Sequence, residues 1–492
     1  SRKYAYALRQ FVDMQEDVTA YDIWLAVNEG YQSHQILHRY IQLGIGTDQG
    51  KLGNVNGMGI LSDIRGVNIG SVGATTFRPV YTPITFGSIA GSDIGPELYA
   101  PIRKTPIHQW HVEAGAPFEN VGEWKRPWYY PKPGETIDDA VNRECLTTRN
   151  SAGVFDQSTL GKIDIQGPDA AEFLNRVYMN NWLKLGIGRC RYGIMLGENG
   201  MVLDDGVTAR LSENHFQMFT TTGGAATVMT WLENWSQTEW PELKVYFTSI
   251  TDHWSTMSVV GPNARSIVSK LCNDIDLSAE EFPFMSFREG TVSGVPARIF
   301  RVSFTGESSF EINVNSNYGR YIWEAIMEAG EEYNITPWGT ESTHLMRAEK
   351  AYLIVGQDTD GSVTPVDSGM DRMISKTKDF IGKRSLSRPD SVREDRKQLV
   401  GLLTEDSTKV LPEGGQITQN PHESIPAAMI GHVTSSYWSA NLNRSIAMAV
   451  IKGGHVRMGE KVYIYIRDEN NPISAIIANP VFYDPEGVRL HA

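Results

Sequence analysis

The sequence predicts an α+β fold in which a duplicated α+β unit is followed by a small C-terminal β-barrel and preceded by a helical and irregular segment. Three observations carry this. Ile165-Gln-Gly-Pro-Asp-Ala-Ala171 is echoed by Val259-Val-Gly-Pro-Asn-Ala-Arg265, each an apolar strand ending at Gly-Pro before a helix. Beyond residue 396 the chain turns β-rich, with short apolar runs separated by turn residues, as a small closed barrel requires. The first 110 residues instead carry helix caps and glycine stops.

In chain order, Thr19-Ala-Tyr-Asp22 forms a capping box opening a helix with Ile23, Ala26 and Val27 on one face, stopped at Gly30. Ser33 caps a second helix carrying Ile36, Leu37 and Tyr40, stopped at Gly44. A glycine-rich run then leads through Thr47 to Lys51. Glycines let a backbone approach phosphate closely, but Leu52 after Lys51 breaks the P-loop spacing. A plain structural loop is the competing reading. Residues 75–87 read as an extended connector. Residues 111–144 open on a stretch dense in Trp, Tyr and Pro and read as a linker pinned onto the next domain.

The duplicated unit is expected over 145–390. Its helices follow Ala171, Leu174 and Val177 in the first copy, and Ile267, Val268 and Leu271 in the second. Between the copies, Asn199-Gly200 joins two strand-like runs into a hairpin. Asp204 and Asp205 lie in its second strand. Side chains alternate along a strand, so the two must point to opposite faces, and an inward carboxylate needs a partner or a role. Residues 384–396 form a polar linker to the barrel at 396–492.

Composition excludes several classes. Asp and Glu (58) outnumber Lys and Arg (45), a net charge of −13 that argues against nucleic-acid binding. No apolar run is long enough for a transmembrane helix. Twelve Trp, 20 Tyr and 17 Phe are too many buried-type side chains for a disordered chain. Three scattered cysteines build no CxxC metal site and suit a reducing compartment, so the expected location is cytoplasmic. A chain opening at Ser1, with no signal segment after it, reads as a processed product or a piece of a longer one.

Other residues bear chemistry. Glu311 alternates with apolar neighbours in a strand. It either faces solvent or accepts paired hydrogen bonds from an N–H/NH₂ edge such as that of a pterin. Arg347 flanks the apolar face of a helix, as a surface arginine or a carboxylate anchor. His108 and His111 have no third ligand in sight, so no metal is expected there, and GxSxG is absent.

Taken in order, these motifs resemble a known family. Arg149 to Asp156 and Gly161, Gly167-Pro-Asp-Ala-Ala171, Asp204-Asp205, Thr305-Gly-Glu307 with Glu311, Arg347-Ala-Glu349 and Ile430-Gly-His-Val-Thr-Ser435 look like the folate-dependent aminomethyltransferase (T-protein) of the glycine cleavage system. Asn142 to Leu146, Gly188 to Met195, Val355 to Gly361 and Asp484 to His491 are closer still to one branch, the C-terminal half of the alpha subunit of heterotetrameric sarcosine oxidase. Thr222-Gly223-Gly224, where T-proteins carry Asn, favours that branch. No GxGxxG follows a first strand, so the branch's dinucleotide-binding half is expected to be separate or missing.

The resemblance implies transfer of the one-carbon unit of an oxidised N-methyl amine to tetrahydrofolate, giving 5,10-methylenetetrahydrofolate. Asp205 would be the catalytic carboxylate, with Asp204 as the fallback. Glu311 would hold the pterin edge, Phe304 would stack on it, Arg347 would hold a carboxylate, and Tyr192 and Thr222 would line the pocket. Thr47, Lys51 and Arg78 would contact an FMN shared with a flavin-bearing beta-like subunit. FAD and NAD are expected elsewhere in a complex with smaller subunits. The alternatives are a free-standing T-protein-like methyltransferase, a non-catalytic folate-binding regulator, and the same subunit in an N-methylglutamate or other secondary-amine dehydrogenase.

Overall fold

The computed structural model describes residues 2–78, 81–91, 102–424, 426–465 and 472–491. The chain divides into two compact units, Ser1–Pro101 and Ile102–Ala492. The first is therefore shorter than the 110 residues expected. Residues beyond it are anchored in the second unit, because Ile107 is fully buried beside Val154, Met257 and Trp323.

The first unit holds a two-stranded ribbon, β1 (Phe11–Asp13) with β2 (Val18–Thr19), and four helices: α1 (Ala20–Asn28), α2 (His34–Ile41), α3 (Asn54–Arg65) and α4 (Phe86–Ala90). The Thr19–Asp22 capping box forms as expected, with Thr19 N donating to Asp22 Oδ2 at 2.7 Å. Helix α2 is rotated from its expected face. His34, Leu37 and His38 are buried, while Ile36 and Tyr40 are 56% and 48% exposed. Tyr40 instead stacks on Tyr31 and donates to Glu29. The helix ends at Gln42, in the left-handed region (φ 66°), not at Gly44.

The second unit opens with α5 (His108–Glu113), the hairpin β3 (Phe118–Val121) and β4 (Trp124–Pro127), and α6 (Ile137–Asn150). So the expected linker 111–144 already contains a hairpin and the start of a helix, which a Thr136–Asp139 capping box opens. Then follow β5 (Gly153–Asp156), β6 (Gly161–Gln166), α7 (Ala170–Val177), β7 (Cys190–Leu196), β8 (Val202–Ser212), β9 (His215–Thr220), α8 (Ala225–Thr238), β10 (Tyr246–Ser249), β11 (Trp254–Val260) and α9 (Ala264–Leu271). The unit continues with β12 (Ser286–Val292), β13 (Val295–Arg301), β14 (Ser309–Asn315), α10 (Gly319–Gly330), β15 (Thr336–Pro337) and α11 (Thr340–Glu349).

These strands make two sheets, β10-β6-β9-β8-β7 and β12-β13-β14-β11-β5-β15, antiparallel except for β15 beside β5. The sequence repeat maps one copy to each sheet, β6–α7 and β11–α9. Gly167 (φ 135°) and Gly261 (φ 118°) occupy the turn at matching places, and a side chain at Gly167 would strike Lys244 O. Pro168 and Pro262 lie before the helix caps Asp169 and Asn263, rather than within the first turn. Each sheet buries one face under its helices. Trp323 and Ile326 of α10 cover the six-stranded sheet, and Phe173 and Leu174 of α7 the five-stranded one. Each such side chain is worth about 1.5–3 kcal/mol of burial. Phe219 and Phe300 pack edge to face, joining the two sheets with Cys190, Ala209 and Phe287.

The barrel comprises β16 (Lys397–Thr404), β17 (Gln416–Thr418), β18 (Met429–Ser439), β19 (Arg444–Lys452), β20 (Lys461–Tyr465) and β21 (Ile473–Ala478), closed in the order β16-β19-β18-β17-β20-β21. Among the described residues no helix is long and apolar enough to cross a membrane.

Candidate functional site

Opposite Asn199-Gly200, the β7–β8 hairpin sets Asp205 across from Ile194 and Asp204 across from Met195. Pairing of β8 with β9 stops at Thr208, so the aspartates project past the end of β9. Alternation then separates them. Asp204 is buried and accepts from Thr221 Oγ1 at 2.7 Å and from Thr221 N at 3.3 Å. Asp205 is half-buried and accepts from the Tyr192 hydroxyl at 2.5 Å. Burial pushes the Asp204 carboxyl up to about 7, with the Thr221 hydroxyl opposing and the Asp205 charge adding. Burial likewise pushes Asp205 up to about 6, against the Tyr192 hydrogen bond. Each carboxyl, of raised pKa on its own face of the strand, can accept and return a proton near neutrality.

The loop from β5 to β6, residues 157–160, links this pair to the other sheet. Thr159 Oγ1 lies 3.1 Å from Thr222 Oγ1, next to the Thr221 that holds Asp204. At the loop's other end the Gln157 side chain hydrogen-bonds Glu311. Glu311 sits in β14 between Ser258 of β11 and Phe300 of β13. It is 7% exposed, so it is not a solvent-facing alternate. Burial pushes its carboxyl up to about 7, opposed by Gln157 and by the charge of Lys162. A chain of contacts through the 157–160 loop thus runs from Asp204 and Thr222 to Glu311, with Tyr192 on Asp205.

Phe304 and Arg347 have other company. Phe304 is half-buried and stacks with Tyr352 at 6.1 Å between centroids. Arg347 is fully buried, so it is not a surface arginine. Its guanidinium is ion-paired with Asp358 and donates to Ser435 Oγ at 2.5 Å and to Tyr352 O at 3.1 Å. The carboxylate it anchors is the chain's own, which ties α11 to the barrel strand β18. The remaining motif residues are structural in the same way. Arg149 is buried between Glu307 (3.0 Å) and Glu349 (2.6 Å), under the Tyr483 ring, and Arg489 reaches Glu307 as well.

In the first unit, the Lys51 ammonium donates to Tyr81 O and lies over the Tyr81 ring, Thr47 bonds Gln15, and Arg78 N donates to Gln49 Oε1. Lys51 and Arg78 are therefore drawn to the same loop, although their nearest polar partners are backbone and amide groups.

Sequence reasoning missed three residues here. Lys162 and Gln157 had no motif of their own, and Thr221 lay in the Thr220–Gly224 motif without a role; the signal for Lys162 was a lysine inside an apolar strand. It also left His111 without a role. His111 Nε2 lies 3.1 Å from Asp156 Oδ2 and Nδ1 lies 2.8 Å from the Tyr130 hydroxyl, a buried relay that fixes α5 and the hairpin to the core. Among the described residues no group of three or more His, Cys, Asp or Glu could hold a metal ion. A surface cleft of about 380 Å³ lined by Trp110, Glu324 and Asn334 contains none of the site groups. Asp204, Asp205 and Glu311 combine burial with raised proton affinity, the environment expected of groups that exchange protons.

A fold of two such sheets with a trailing six-stranded barrel defines a class, and comparison with known proteins agrees. The GCVT N-terminal domain matches residues 107–378, the glycine cleavage T-protein C-terminal barrel domain 397–484, and the sarcosine oxidase A3 domain 7–92. The chain belongs to the glycine cleavage T-protein family. It is 48% identical to sarcosine oxidase subunit alpha of Corynebacterium sp. (strain U-96), over 97% of this chain and 50% of that one. The subunit alpha of Rhizobium meliloti (strain 1021) is 43% identical over 98% and 49%. The chain thus spans about half the length of these curated relatives. An aminomethyltransferase of Thermotoga sp. (strain RQ2) is 26% identical over 78% of this chain and 98% of its own. The crystal structure of aminomethyltransferase T from Bartonella henselae shares the fold, with TM-score 0.67 and 24% identity over 78% of this chain and 98% of that one.

Proposed function

We propose that the chain is the folate-binding part of a sarcosine oxidase-like complex, passing the one-carbon unit of an oxidised N-methyl amine to tetrahydrofolate to give 5,10-methylenetetrahydrofolate. The observation that carries this is the Asp204–Asp205 pair joined by one loop to the buried Glu311. Asp205 is the more accessible of the two aspartates. It takes the proton released as folate nitrogen closes onto the transferred carbon, and its charge favours the cation that precedes closure. Asp204 holds Thr221, and burial together with the Asp205 charge keeps its own proton affinity high. Glu311, ionised, accepts paired donors from the pterin edge. Thr222 and Tyr192 line the approach.

The A3-domain match over 7–92 favours a complex over a free-standing methyltransferase. In that complex a flavin-bearing beta-like subunit would oxidise the amine, and Thr47, Lys51 and Arg78 would face its FMN. FAD and NAD would be held by other parts of the assembly, and the whole would be cytoplasmic.

Titration with tetrahydrofolate tests the site. Asp205→Asn should retain binding and lose turnover by about 10²–10⁴-fold, whereas Glu311→Gln should lose affinity. Unchanged turnover and affinity in both would overturn the assignment. Retention of FMN by Lys51→Ala in the assembled complex would remove Lys51 from the flavin interface.

A further inference from the structure

Arg126 is a buried cation that the proposed reaction does not use. It lies in β4 and is 9% exposed. The other buried arginines are matched: Arg149 by Glu307 and Glu349, Arg347 by Asp358, and Arg301 by the carbonyls of Phe282 and Leu490. No hydrogen bond or ion pair from the described residues reaches the Arg126 guanidinium, and its Nε is shut off from solvent with no acceptor. Neighbouring carboxylates do not supply one. Glu119 faces Arg126 across the β3–β4 ribbon, yet Glu119 Oε1 is itself buried without a donor. Asp156 is held by Thr105, His111 and Ser158 N, and Glu341 by Trp128 Nε1. The guanidinium is instead laid over the Phe155 ring, 5.1 Å from its centroid. An aromatic face does not compensate a guanidinium taken out of water; it needs an anion.

Phe155 fixes where that anion would sit. Phe155, Ser258 and Glu311 lie opposite one another on β5, β11 and β14, and residues in register share one face of a sheet. Two strand spacings, about 10 Å, separate Phe155 from Glu311. The unmatched guanidinium therefore stands on the face that carries Glu311. We propose that Arg126 is a ligand-binding residue of this site, its planar fork receiving a carboxylate of the bound ligand, that of the folate tail or that of an amino acid whose one-carbon unit is transferred. This rests on the folate reading above. Arg126 takes the part of carboxylate anchor that the sequence motif offered to Arg347.

The test is calorimetric titration of the full 492-residue chain with three ligands. They are 5-formyltetrahydrofolate, 6-methyltetrahydropterin, which has the ring but no carboxylate, and N-methylglycine in the presence of 6-methyltetrahydropterin. Arg126→Met keeps the stem and removes the fork. With the tail as the source, it should weaken 5-formyltetrahydrofolate by about tenfold or more and leave 6-methyltetrahydropterin unchanged. With the amino acid as the source, both pterins should bind as before and N-methylglycine should lose about tenfold or more. Arg126→Lys, a charge without the fork, should recover part of either loss. Unchanged affinity for all three ligands, or an equal loss for both pterins, overturns the role of Arg126. A wild type that binds N-methylglycine through Arg126 but neither pterin refutes the folate reading and leaves the carboxylate site standing; one that binds none of the three refutes both. Stability decides independently. A cation without a partner is removed at no cost, so the unfolding midpoint of Arg126→Met should hold or rise. A lowered midpoint, or a variant that does not fold, would show that the guanidinium already has a partner in the fold and would sink the proposal.

Discussion

Asp204→Asn should make the protein more stable at pH 8 and leave it little changed at pH 5. The Asp204 carboxyl titrates near 7 in the fold against 3.8 outside it, because burial disfavours its charge. The native state therefore binds the proton more tightly than the unfolded state does. Below about pH 4 both states are protonated and nothing is lost. As pH rises from about 4 to 7 stability falls, and above 7 the loss is complete. A shift of about three units corresponds to about 4 kcal/mol. Part of it belongs to the Asp205 charge, so about 2–4 kcal/mol is the share that asparagine can recover. Asparagine still accepts from Thr221 Oγ1, but it offers an N–H₂ where Thr221 N now donates, a cost of about 1 kcal/mol. The net is a gain of about 1–3 kcal/mol at pH 8 and close to zero at pH 5, where only about a third of the burial penalty is present. Urea unfolding at the two pH values measures it. Equal destabilisation at both would show that Asp204 is ionised in the fold and would refute the protonation argument on which the site rests.

Tyr192→Phe removes the donor opposing the raised pKa of Asp205; the pH at which turnover rises should move upward, read from single-turnover rates across pH 5–9. Glu311→Gln should weaken folate affinity by about tenfold or more while barely changing the unfolding midpoint, since the amide still bonds Gln157. Arg347→Met leaves Asp358 buried without its cation and should cost about 3–5 kcal/mol in unfolding free energy, seen as a collapse of thermal stability. A small change there would mean that the Arg347 guanidinium serves a ligand rather than the α11–barrel seam.

What could be read from sequence, and what could not, follows from the range of the forces involved. Capping boxes at Thr19 and Thr136, the Asn199-Gly200 turn and the two Gly-Pro repeats are local: each is decided by residues within about four positions, so spacing alone reveals them. The Thr19 box was read directly, and the Thr136 box was available but hidden under the aromatic density of the preceding stretch. Strand alternation likewise put Asp204 and Asp205 on opposite faces, as Thr221 and Tyr192 bear out. Partners distant in sequence are another matter. Nothing near Arg347 announces Ser435, and nothing near Glu311 announces Gln157. The face of α2 turned the other way for a related reason: His34 and His38 are buried beside Leu37, His38 against Leu43 O, and Tyr40 finds Glu29 and Tyr31 outside. The motif residues Arg149, Glu307, Glu349 and Arg347 make the sharpest case. Sequence marks them as important without saying for what, and the fold answers with buried ion pairs. The carboxylates proposed for the chemistry, Asp204, Asp205 and Glu311, have no cation in contact, and each keeps a proton affinity near neutrality. Arg149 and Arg347 neutralise Glu307, Glu349 and Asp358 by direct contact, whereas the proposed site carboxylates have no such partner.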